Sequence, residues 1–161
     1  MTTKADYTEE EWKGLVRAPI LAGGYVVVAD MSLIGASSEA KGLFEAITSR
    51  PVPEAASDLI GAVVADIKAD DPTDMPDLKN NRTAGPQMLN QLELDLEVLD
   101  RKSTSSERAA FKAWIADLAQ ATAEAAREGG FLGIGGVQVS EKEHDALIRL
   151  RVLLGTPDPM A

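Results

Sequence analysis

No cysteine occurs in the 161 residues. That excludes disulfides, thiolate nucleophiles and cysteine-held zinc or iron–sulfur centres, and it suits a reducing compartment. Histidine occurs once, at His144, so a histidine-rich metal site cannot form, and no Ser-His-Asp arrangement follows from the spacing. Aromatic residues make up 4% of the chain, so the core has to come from Leu, Ile, Val and Ala, a set that suits closely packed helices. Bases are few: 16 against 26 acids, a formal net charge of -10. Such a surface repels nucleic-acid phosphates and anionic lipid head groups, so neither is an expected partner, whereas cations and basic protein surfaces are. A long apolar run is also missing. The most apolar stretch, Ala18 to Leu33, contains Pro19, Gly23, Gly24 and Asp30 and is shorter than the roughly 20 residues that span a bilayer. No integral membrane association is expected. Met1-Thr2-Thr3-Lys4 does not open a signal peptide, and a cytoplasmic location is the expectation.

What is present points to one helical domain over residues 1–161, with ends at 1–7 and 156–161 expected to be flexible. Thr8 and Glu11 form a capping-box pattern, and Trp12, Leu15 and Val16 follow at helical spacing. Pro19 predicts a break, with one helix over about Glu9–Arg17 and another over about Pro19–Met31 set at an angle. The run Val26-Val27-Val28 could also be read as a buried strand. Helix is favoured because no partner strands occur elsewhere to satisfy the backbone. An all-round apolar helix belongs at the centre of a bundle, and Gly23-Gly24 mark a close crossing.

Further helices are predicted from Ser37-Ser38 to Arg50, from Glu54 to Ile67, around Leu89, Leu92, Leu96 and Leu99, from the serine cluster at 103–106 to Gly129, and from Ser140 to Leu154. The fold class is therefore all-α, a compact bundle of six to eight helices. A small-residue run ending in an acid, a glycine-containing loop and a serine-capped restart occurs twice, at 22–41 and at 119–143. This suggests two related helix-loop-helix units. Residues 68–85 read as an irregular acidic surface loop.

Three segments invite a functional reading. Asp70, Asp71, Asp74 and Asp77 have the oxygen donors of a hard-cation site but match no EF-hand, and a solvated loop is the simpler reading. The glycines at 129, 130, 133, 135 and 136 lack the lysine and preceding strand of a phosphate-binding loop. Phe131, Leu132 and Ile134 between them are candidate plugs onto the bundle or a partner-binding patch. Asp30, after the apolar helix, either caps its own loop or holds a cation. His144 sits at a helix start near Glu141 and Asp145.

The two halves resemble TerB-like proteins, the all-helical family linked to bacterial tellurite resistance. The likeness lies in Ala22-Gly23-Gly24-Tyr25-Val26-Val27-Val28-Ala29-Asp30 leading to Ser37-Ser38-Glu39-Ala40-Lys41. It recurs in Ala123-Glu124-Ala125-Ala126-Arg127-Glu128-Gly129-Gly130 leading to Ser140-Glu141-Lys142-Glu143. TerB-like loops carry an Asp-Gly step among acids that hold divalent cations; here Asp30 is followed by Met31. The resemblance implies Asp30, Glu39 and Glu128 as metal ligands, echoed by Glu141 and Glu143, and a bacterial stress-associated role. The expected function is a non-enzymatic interaction or stress-associated module with a protein partner and no resident cofactor. The alternatives are a divalent-cation-binding regulator and, last, an enzyme with a site between the two halves.

Overall fold

A computed structural model describes residues 2–29, 36–69, 83–128 and 139–157, without the side chains of 36–42 and 125–128. These residues form an all-α bundle of six α-helices: α1 (Glu9–Ala29), α2 (Ala36–Ser49), α3 (Ser57–Ala69), α4 (Ala84–Lys102), α5 (Ser105–Glu128) and α6 (Glu141–Leu154). Short 3-10 turns precede α1 (Lys4–Asp6) and α3 (Glu54–Ala56). Among the described residues there is no strand, and Tyr25 to Val28 are helical. The two loops that define the suggested repeat fall outside the described residues, as do most of 68–85 and the glycine-rich segment.

Local signals explain several of the helix ends. At the start of α1 the Thr8 amide donates to Glu11 Oε2 (2.8 Å), and the Glu11 amide donates to Thr8 Oγ1 (3.3 Å). Ser140 and Glu143 make the same reciprocal pair before α6, at 2.8 and 3.2 Å. Each box satisfies two amides that a helix start leaves without intrahelical partners. Gly155 closes α6 with φ 66°, a left-handed C-cap that its missing Cβ permits.

The predicted break at Pro19 does not occur. α1 runs unbroken from Glu9 to Ala29 with Pro19 buried inside it. Proline removes one backbone hydrogen bond, but the buried stripe continues on both sides of it through Leu15, Ala18, Ala22 and Val26. Packing along that whole stripe outweighs the local preference. α1 touches every other α-helix, with α4 as its main neighbour. Contacts run from Glu11–Lys102 through Arg17–Asp95 to Tyr25–Gly85, so α1 and α4 are antiparallel. At Gly23 an added Cβ would lie 2.2 Å from Leu43 Cδ1 of α2, which is the close crossing the glycine pair implied.

The core follows the helical stripes. Leu59, Val63 and Ile67 of α3, Leu92, Leu96 and Leu99 of α4, and Phe111, Trp114, Ile115, Leu118 and Thr122 of α5 are all buried. The stripe does not extend back at the four-residue spacing: Ala55, four residues before Leu59, is exposed and Ala56 is buried in its place, because this turn is 3-10 rather than α.

Candidate functional site

Charged side chains in the interior are where chemistry would be expected, since burying a charge is costly unless it is paired. Among the described residues four polar side chains are buried: Asp95, Glu107, Thr122 and Arg151. Thr122 returns its hydroxyl to Leu118 O, a local helical bond. Asp95 on α4 accepts from Arg17 Nε (2.9 Å), Arg17 Nη2 (2.7 Å) and Gln91 Nε2 (2.9 Å). The fork from Arg17 is bidentate, the strongest geometry for such a pair. With three donors in place, Asp95 joins α4 to α1 rather than presenting a free carboxylate.

Glu107 is the capping residue of α5. Its Oε2 accepts from the Thr104 amide (3.0 Å) and hydroxyl (2.7 Å), while its own amide donates to Thr104 Oγ1 (3.3 Å). Its Oε1 accepts from the amide of Thr2 and, at 3.2 Å, from the Thr2 hydroxyl. Burial alone pushes this carboxyl up, but the bonds from Thr104 and Thr2 outweigh it and hold it at about 2. Such a group stays ionised and structural near neutral pH.

The chain before α1 is held by the same knot. Tyr7 is buried, and its hydroxyl meets Ser103 Oγ at 2.8 Å. Lys102 reaches Glu11 Oε2 (2.6 Å) and Asp6 O (3.0 Å). Its hydrogen bond, with that of the Thr8 amide, holds Glu11 down at about 2. Asp66 of α3 accepts from Lys4 Nζ (2.6 Å) and Trp12 Nε1 (2.7 Å), which keep it below the usual carboxylate range. From the sequence, residues 1–7 are expected to be a flexible end with no assigned contacts, whereas Thr2, Lys4, Asp6 and Tyr7 bond to α5, α3, α4 and the turn between α4 and α5, respectively. The usable signal was Thr104-x-x-Glu107, a third capping box hidden in a serine cluster.

The surface offers a different feature. One face of α6 is buried through Ala146, Leu147, Leu150, Arg151 and Leu154. On the other, Ile148 is 41% and Val152 76% exposed. They are four residues apart and share one face of the helix. Exposed Asp145 and Arg149 flank them, and His144 is exposed one turn before Ile148.

The sequence-derived site residues lie outside what is described. Asp30, Phe131, Leu132 and Ile134 are not among the described residues, nor are Asp70, Asp71, Asp74 and Asp77. Glu39 falls in α2 and Glu128 ends α5, with both side chains outside the description. Among the described residues no group of three or more His, Asp or Glu could hold a metal ion.

No family model, curated protein or solved structure matches this chain. Among the described residues no helix is long and apolar enough to cross a membrane.

Proposed function

We propose that this chain is a non-enzymatic helical interaction module that presents the outer face of α6 to a protein partner. The observation that carries the reading is the Ile148–Val152 pair, two branched apolar side chains exposed on a helix whose opposite face is fully docked. Single exposed apolar residues are ordinary; adjacent ones on one helical face favour a contact surface. The net charge of -10 favours a partner with a basic rim around an apolar contact. The commitment of Asp95, Glu107 and Asp66 to capping and helix pairing also supports a role without catalysis.

The resemblance to TerB-like proteins extends this reading to a stress-associated role in a bacterial cytoplasm. The same resemblance carries the alternative, a divalent-cation regulator using Asp30, Glu39 and Glu128; saturable calcium, magnesium or manganese binding by calorimetry would favour it. The interaction reading is tested by Ile148→Asp with Val152→Asp. Both positions are on the surface, so thermal stability should hold while partner affinity falls.

A further inference from the structure

Among the described residues Arg151 has a guanidinium that no carboxylate neutralises. The residue is 8% exposed, at the end of α6 against α5. Its Nη1 donates to Pro157 O at 3.3 Å and its Nη2 to Gln120 Oε1 at 3.5 Å. Both acceptors are neutral and both bonds are long. Among the described residues no carboxylate pairs with it, although every other buried charge in the bundle has several close partners. Arginine offers five N–H donors in a planar fork, so most of its donor capacity is unused. The carbonyls at the end of α6 offset part of the charge, which makes the arrangement tolerable but leaves the fork unfilled. Glu124, one turn along α5, is engaged with Gln120 Nε2 (3.1 Å) instead.

A second, independent observation lies beside it. The Thr156 hydroxyl is buried and has no hydrogen-bond partner among the described residues. Thr156 directly precedes Pro157, and its amide is fixed on Arg151 O at 3.1 Å. Buried polar groups in folded proteins are nearly always satisfied, and an orphan often marks an absent water or ion. An under-used guanidinium and an orphan hydroxyl thus occur five residues apart, on backbone that the Thr156 amide ties back to Arg151 O.

We infer that Arg151, with Gln120 and Thr156, forms a binding site for a small oxyanion of the carboxylate or phosphate class at the α5–α6 end of the bundle. The guanidinium fork matches either anion with two parallel hydrogen bonds. The overall negative charge opposes binding only weakly at physiological salt, where charges beyond about 8 Å are screened.

The test is thermal unfolding of the full chain titrated with sodium phosphate and, separately, sodium acetate, each against sodium chloride at fixed ionic strength and pH. The inference predicts a saturable rise in Tm with at least one oxyanion and none with chloride. The arm that saturates identifies the class. Arg151→Met should abolish the rise, and Arg151→Lys, which keeps the charge but not the fork, should weaken it at least several-fold; Thr156→Val provides a third variant should Arg151→Met not fold. Equilibrium dialysis with radiolabelled phosphate and acetate gives a readout independent of stability. Absence of saturable binding to the wild-type chain, or binding undiminished in Arg151→Lys and Thr156→Val, overturns the inference.

Discussion

The carboxylate of Asp95 lies against Gly14, so close that a Cβ at that glycine would sit 2.9 Å from Oδ1 and 3.2 Å from Cγ. The missing side chain on α1 makes room for the buried acid on α4, and Arg17, one turn further along α1, closes over it. Gly14→Ala should therefore displace the carboxylate and destabilise the fold, although alanine is the better helix former. Arg17→Ala leaves Asp95 buried with Gln91 as its remaining side-chain donor and should cost about 1–3 kcal/mol. In a double-mutant cycle the two losses should be non-additive, because both act through Asp95; additivity within about 0.3 kcal/mol would contradict the shared contact.

Gly61 provides the opposite case. It lies inside α3, is exposed, and an added Cβ would meet nothing within 4 Å. Gly61→Ala should stabilise the protein by about 0.5–1 kcal/mol through reduced freedom of the unfolded chain. A denaturant midpoint that falls instead would show that α3 is packed differently.

The acid limb of stability should depend on Glu107. Its folded value of about 2 lies below its ordinary 4.5, so its contribution is present above pH 4.5 and is lost as the pH falls towards 2. Glu11 acts in the same direction. Glu107→Gln should lower stability at pH 7 and flatten the loss between about pH 5 and 2. An acid limb with the wild-type slope in that variant would remove Glu107 from the account.

Trp114 fills the core of α5 beside Phe111, with ring centroids 5.7 Å apart. Trp114→Ala should cost about 3–5 kcal/mol. Its buried indole N–H has no hydrogen-bond partner among the described residues, so Trp114→Phe should lose packing alone and cost clearly less. Equal losses for the two variants would mean that the indole N–H is bonded after all.

Local signals and long-range ones were not equally legible in the sequence. The caps at Thr8–Glu11 and Ser140–Glu143 span four residues each, and the stripes of α3, α4 and α5 repeat every turn, so both can be read along the chain. Pro19 misled because its local cost is visible, while the buried stripe that overrides it depends on α4, far away in sequence. The Arg17–Asp95 pair joins residues 78 apart, and nothing near either one announces the other. Arg151 reads as an ordinary exposed base in the last turn of a helix; its burial arises only once α6 is packed onto the bundle. Ile148 and Val152 look like core residues in the sequence, and their exposure emerges once Leu147, Leu150 and Leu154 are seen to take the inner face.

The most direct test of a partner-binding α6 face is site-specific photo-crosslinking in the native host. One probe replaces Val152, and a control probe replaces Glu93, which is exposed on α4. The account predicts a discrete crosslinked partner at position 152 that is absent at 93 and is lost when Ile148→Asp is added, with the Tm of that variant unchanged. Identical crosslinking from both positions, or a product at 152 that survives Ile148→Asp, would contradict it.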